Sequence, residues 1–342
     1  MTLKKPRKLD PGDPIATVSI SHGWAGDDAV LWKYELGKKI LEERYHLQVI
    51  AAPNSMRGSR YLAKNPQARA EDFLWAFENP QIKAIIANVG GNDSITLLPF
   101  IDTDCIKNHP KIFVGYSDIQ NMHLLCYKAG LSTFYGPNLL SSIAEAQGFH
   151  AYSDRWFRNV FFETEPIGVV EPSDDWTYEE MDYENKEDVR TYYPNEGYCL
   201  FQGEQSVTGR LFGGHTGMMD LEGTAIELRA HDFEDVILFI EDIPAFFSPD
   251  HIAAYFRWLG DLGAIRHIKG ILIGKTNQAI DAAEHRNRLL NVIAYELGRP
   301  DLPILYGLNF GHSSPMCILP YGAVAKINCE KAQFSIVESG VC

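Results

Sequence analysis

"KIFVGYSDIQNMHLLCYKAG", residues 111–130, runs an apolar strand pattern through a short turn straight into a helical pattern. Ile112, Phe113 and Val114 suit a pleated, buried surface, and the residues after Asp118 carry apolar side chains at helical spacing. A strand that passes directly into a helix is half of a strand–helix–strand unit, and the neighbouring segments repeat it. "IATVSIS" (15–21), "LQVIAAP" (47–53) and "AIIANVG" (84–90) are the Val- and Ile-rich runs of a parallel sheet. Between them, Ala29, Trp32, Leu36 and Ile40 form one helical stripe; Ala70, Phe73, Leu74 and Phe77 form a second at i, i+3, i+4, i+7. The alternation predicts right-handed crossovers and a parallel α/β sheet domain with helices on both faces, over residues 1–165.

The pattern then breaks. Residues 171–203, "EPSDDWTYEEMDYENKEDVRTYYPNEGYCLFQG", are acidic and aromatic without apolar periodicity. Residues 166–203 therefore read as a linker or loop, whose rings either cover a domain seam or stack on a ligand. Beyond it, "VILFIED" (236–242), "GILIGKT" (270–276), "PILYGLNFGH" (303–312) and "AVAKIN" (323–328) are strands. Ile252, Tyr255, Phe256 and Leu259 mark one intervening helix, and Leu290, Ile293, Ala294 and Leu297 another. A second, mixed α/β domain is expected over 204–342, with the functional site where the two domains meet.

Composition narrows the function. The 342 residues are 45% hydrophobic and 22% charged, as in a soluble globular protein, and the length suits two domains. A net charge of −14 argues against nucleic acid or an anionic membrane as partner, because both reward a basic surface. The six cysteines are scattered with no C-x-x-C pair, so reduced, mostly buried thiols are expected. "IATVSIS", behind the basic N-terminus, is too short for a signal sequence, and no apolar run approaches the ~18 residues of a membrane span. A cytoplasmic location is expected.

Ser117 lies at the carboxyl end of its strand, where open parallel sheets gather ligands. A tight strand-to-helix turn presenting a serine is the nucleophile-elbow arrangement, although "GYSDI" lacks the second glycine of G-x-S-x-G. Ser117 as a plain helix cap, with Asp118 a favourable first-turn charge, is the competing reading. "NVGGNDS" (88–94) places a diglycine at the preceding strand end, where backbone N–H groups can approach a substrate. The spacing of a nucleotide-phosphate loop is absent, and so is the H-E-x-x-H of a zinc peptidase; no cofactor or metal is expected. Two histidines follow glycine and precede a hydroxyl residue, His215 in "GGHTG" and His312 in "FGHSSP". "VILFIED" ends on Glu241 and Asp242, which point to opposite faces, so that only one can orient an imidazole.

Five blocks together resemble the LD-carboxypeptidase family of serine peptidases, and within it the microcin C immunity branch. They are "GSRYLAKNPQARAEDFLWAFENPQIKAIIANVGGND" (58–93), "VGYSDIQ" (114–120), "RLFGGHTGMMDLEGT" (210–224), "LFIED" (238–242) and "GLNFGHSSPMCILPYGA" (307–323). The resemblance implies a catalytic triad of Ser117, Glu241 and His312, with an oxyanion hole from the backbone of Gly91 and Asp118. It sets Gly90, Trp176 and His215 against the substrate, Trp176 holding a base, and implies a homodimer. At His215 this chain has "GGH" where many relatives carry "GGN", which makes that histidine a second candidate base. The substrate implied is a small peptidyl- or aminoacyl-nucleotide. The alternatives are a murein tetrapeptide, cut as in peptidoglycan recycling, and a non-catalytic small-molecule binder with Ser117 only a cap.

Overall fold

In the computed structural model, which describes residues 3–276 and 278–342, the apolar runs become strands slightly shorter than their sequence patterns. Strands β1 (Pro14–Val18), β2 (Gln48–Ala51), β3 (Ala84–Ala87), β4 (Ile112–Gly115) and β5 (Phe134–Tyr135) are parallel, in the order β5-β4-β3-β1-β2. β3 and β4 are buried along their whole length, which is why they read as unbroken apolar runs. Leu319–Pro320 closes the β5 edge in antiparallel sense, so the chain returns to the first sheet near its end.

The second sheet has four parallel central strands: β6 (Val207–His215), β7 (Val236–Glu241), β8 (Gly270–Gly274) and β9 (Ile304–Leu308). Antiparallel strands flank them, Val324–Asn328 and Gln333–Ile336 beyond β6 and Cys199–Gln202 beyond β9. The architecture is the expected one, a parallel α/β sheet followed by a mixed α/β part. β6 was legible only as a glycine-rich motif, because Gly209, Gly213 and Gly214 break its apolar run.

The helices mostly bury their expected stripes. Ala70, Phe73 and Phe77 are fully buried on Pro66–Glu78, as are Ile252, Tyr255, Phe256 and Leu259 on Pro249–Asp261. Helix Leu31–Tyr45 differs: it buries Lys33, Tyr34, Gly37, Leu41 and Tyr45, leaving Trp32, Leu36 and Ile40 half-buried. Lys33 tolerates this because its ammonium donates to the carbonyls of Leu140 (3.3 Å) and Ala144 (2.8 Å).

The acidic aromatic stretch is built into the fold. Asp175–Trp176 pairs with Tyr193–Pro194, Cys199–Gln202 joins the second sheet, and residues 177–192 form a loop between the paired ends. Thr177 and Ser314 exchange backbone hydrogen bonds (2.7 and 3.0 Å), tying the base of that loop to the segment after His312.

Candidate active site

The turn after β4 decides the geometry. Ser117 has φ of 66°, the left-handed region that a residue with a Cβ enters at a cost of about 1–3 kcal/mol. Its surroundings hold it there: Tyr116 N donates to Asn138 Oδ1 (3.2 Å) and Ser117 N to the Tyr135 hydroxyl (3.2 Å). A simple helix cap would accept from a backbone N–H in the following turn, and Ser117 makes no such bond. Its Oγ lies 3.0 Å from His312 Nε2 instead.

His312 arrives on the loop after β9, and Glu241 at the end of β7. Glu241 Oε2 accepts from His312 N (2.9 Å) and lies 2.8 Å from His312 Nδ1, so the ring is oriented at both its backbone and its far nitrogen. Gly311 makes the approach possible. It sits at φ 83°, and a Cβ there would fall 2.1 Å from Glu241 Oε2. The other carboxylate oxygen, Oε1, takes a short hydrogen bond from Tyr135. Burial pushes the Glu241 pKa up, but attraction to His312, the His312 hydrogen bond, the charge of His215 and the Tyr135 hydroxyl outweigh it. The carboxyl is therefore held below its ordinary value, as an anion in an almost fully enclosed position. A hydroxyl facing one imidazole nitrogen while a carboxylate holds the other is the arrangement that general-base activation of a nucleophile needs.

The diglycine loop faces the same hydroxyl. A Cβ on Gly90 would lie 2.8 Å from Ser117 Cβ, so only glycine fits against that serine. The N–H groups of Gly91 and Asp118 donate to no group among the described residues, as an oxyanion site requires. The Asp118 side chain has separate work. Its Oδ2 accepts from Ser21 Oγ (2.5 Å), Asp93 N (3.0 Å) and Ser94 N (2.8 Å), fixing the glycine loop against the serine turn.

His215 stands close but faces away. Its ring centroid is 5.5 Å from that of His312, its Nε2 meets Asp242 Oδ1 (2.9 Å) and its Nδ1 accepts from Gly217 N (3.0 Å). Asp242 also receives the Thr216 hydroxyl and His251 Nε2 (3.1 Å). Burial opposes a charged His215, yet the Asp242 hydrogen bond and the charges of Glu241, Asp242 and Asp118 outweigh it and raise its pKa. The Gly217 bond favours an unprotonated Nδ1 and so, like burial, opposes that rise. Glu241, not Asp242, orients the histidine that meets Ser117.

Above Ser117 opens a cleft of ≈ 420 Å³. Trp24, Tyr178 and Tyr183 line it, with Gly90, Arg190 and His312. The Trp24 and Tyr183 ring centroids lie 5.0 Å apart, edge to face. The cleft's one guanidinium is already neutralised: Arg190 pairs with Glu145 at 2.6 Å, and both are buried. Glu145 also accepts from Tyr192 (2.9 Å) and Ser314 (2.8 Å), joining the loop to the His312 segment.

Trp176 is the misplaced expectation. It is buried on the Asp175–Trp176 ladder, outside this cleft, with Lys275 Nζ 4.9 Å above its ring. The ladder turns position 176 towards β8 and leaves Tyr178 and Tyr183, on the intervening loop, to face the cleft. Tyr135 and Glu145 went unnoticed in the sequence. A tyrosine at the carboxyl end of the strand beside β4, in "TFYGPN", was the available signal for the first; Glu145 had none.

Residues 15–136 match the LD-carboxypeptidase N-terminal domain, and residues 208–327 the LD-carboxypeptidase C-terminal domain. The chain belongs to the LD-carboxypeptidase family. It is a serine-type carboxypeptidase, an amide hydrolase. It is 30% identical to the microcin C7 self-immunity protein of Escherichia coli, over 81% of this chain and 80% of that one. A probable murein peptide carboxypeptidase of Bacillus subtilis is 28% identical, over 98% of this chain and 95% of its own. Among solved structures, a relative of the self-immunity protein from Streptococcus pneumoniae, in complex with AMP, superposes with a TM-score of 0.84 at 30% identity. That match covers 96% of this chain and 99% of the other.

Proposed function

We propose that this carboxypeptidase uses Ser117 as nucleophile, His312 as general base and Glu241 to orient the ring, and that it cleaves an aminoacyl- or peptidyl-nucleotide amide. His312 Nε2 takes the Ser117 proton as Oγ attacks the carbonyl carbon, and returns it to the leaving nitrogen as the acyl-enzyme forms. Water, activated by the same nitrogen, then releases the acyl group. Gly91 and Asp118 N–H groups receive the oxyanion, a contribution of about 3–4 kcal/mol per donor in comparable sites.

The observation that carries the substrate class is the aromatic wall of Trp24, Tyr178 and Tyr183 over the nucleophile. A nucleobase can stack on such rings, worth about 1–3 kcal/mol per base. A murein peptide has no ring to stack, and its carboxylates would meet an Arg190 already bound by Glu145. The AMP held by the Streptococcus pneumoniae relative supports the same choice. A homodimer belongs to this reading through the family resemblance, and a cytoplasmic location through the short apolar runs of the sequence. No helix among the described residues is long and apolar enough to cross a membrane.

The test is a comparison of two substrates in two proteins. Tyr183→Ala is expected to lower kcat/KM for an aminoacyl sulfamoyl adenosine by about tenfold or more, and hardly to change hydrolysis of a murein tetrapeptide. Equal losses on both substrates, or rapid tetrapeptide cleavage with none of the adenosine conjugate, would transfer the assignment to murein.

A further inference from the structure

A second cavity of ≈ 580 Å³ lies at the carboxyl ends of β8 and β9 and shares no lining residue with the cleft over Ser117. Trp176, Phe201, Tyr306 and Lys275 line it, with the exposed carboxylates of Glu196 and Asp281 towards solvent. Its size falls in the range of small-molecule sites, and strand ends of this kind are where open α/β sheets collect ligands.

Lys275 sets this cavity apart. Among the described residues five cationic side chains are buried: Lys33, Arg69, Lys111, Arg190 and Lys275. Arg69 and Arg190 each hold a carboxylate, Asp93 at 2.7 Å and Glu145 at 2.6 Å. Lys33 meets two carbonyls and the Met181 sulfur, and Lys111 meets the carbonyls of Ala76 and Asn79. Among the described residues Lys275 has one neutral acceptor, Asn195 Oδ1 at 2.6 Å, for three N–H groups, and that oxygen also serves Gly197 N. No carboxylate among the described residues comes within ion-pair distance of it. Burial lowers its pKa to about 8, the direction expected of an ammonium short of partners. The nearest wall is aromatic: Trp176 lies under Nζ, and Phe201 stacks on Tyr306 with centroids 4.2 Å apart.

We propose that this cavity is a second binding site, for a small planar monocarboxylate whose carboxylate completes the Lys275 hydrogen bonds while its flat apolar body packs on Trp176. The ammonium has two donors to give, and charge-assisted bonds of this kind are about twice as strong as neutral ones. Glu196 and Asp281 at the mouth select against a dianion.

Benzoate is the probe, with benzamide and phenyl phosphate as the neutral and dianionic controls, each titrated into the full chain by saturation-transfer NMR. Saturable benzoate binding is expected, with both controls weaker. Lys275→Met should weaken benzoate about tenfold or more while leaving the protein folded and no less thermostable, since it removes an under-paired buried charge. Trp176→Leu should also weaken it. Tyr183→Ala, on the wall of the other cleft, should not. Absence of saturable benzoate binding, equal affinity in Lys275→Met, or benzamide binding as tightly as benzoate would each overturn the proposal. Loss of binding in Tyr183→Ala would do so too, by placing the acid over Ser117, without touching the assignment of the catalytic residues.

Discussion

Removing one hydroxyl, by Tyr135→Phe, tests whether the two sheets cooperate in building the site. That hydroxyl accepts from Ser117 N at 3.2 Å and donates a short bond to Glu241 Oε1, so it links the strained serine turn to the buried carboxylate. Oε1 has no other partner among the described residues, whereas Oε2 keeps both bonds to His312. A hydrogen bond to a buried charge contributes about 1.5–3 kcal/mol, so kcat should fall by about 10- to 150-fold if the loss falls on the transition state. Tyr135 does not line the cleft, so KM should hold. The sign of the pH effect follows from Glu241. Its folded pKa is depressed, so its contribution to stability is present above the unfolded value near ~4.3 and is lost as pH falls through the folded one. Deleting a bond that favours the anion raises the folded pKa. The acid limb of kcat/KM should move up and acid unfolding should begin at higher pH. Stopped-flow or steady-state hydrolysis over a pH series, beside acid titration followed by circular dichroism, reads both. Wild-type kcat with an unmoved acid limb would show that Glu241 does not depend on Tyr135, and would refute the linkage.

Ser117→Ala and His312→Ala should each abolish nearly all turnover, with the double variant little worse, because residues acting as one unit lose their effects non-additively; additive losses in a rate series would separate them. Gly311→Ala should remove activity as severely as Glu241→Ala. Its Cβ would sit 2.1 Å from Glu241 Oε2 at a φ of 83°; a crystal structure showing the His312–Glu241 contact intact in an active variant would count against this. Glu145→Ala leaves Arg190 buried without its carboxylate, which should cost about 3–5 kcal/mol. Residues 177–192 should then become the first site of limited proteolysis, and KM should rise.

The strands and most helices were legible because their cause is local: Val- and Ile-rich runs at β3 and β4, and a clean i, i+3, i+4, i+7 stripe at Phe73 and Phe77. Helix Leu31–Tyr45 was read on the wrong face, since two carbonyls more than a hundred residues away let Lys33 turn inward. Contacts between distant segments were invisible for the same reason. Ser117, Glu241 and His312 could be singled out one at a time, by turn, strand end and glycine context. Nothing local announced that Tyr135 would bridge the first two, or that Glu145 would gather Arg190, Tyr192 and Ser314. The acidic aromatic segment shows where pattern stops. Its composition marked a loop with rings to place but not which ring faces which cavity. Pairing of Trp176 with Tyr193 decides that: Trp176 is held beneath Lys275 at the end of β8, while Tyr178 and Tyr183, between the paired ends, line the cleft. A tryptophan is the stronger stacking residue in general. Here geometry outranks residue type, and Tyr183 rather than Trp176 is the ring whose loss should be felt over Ser117.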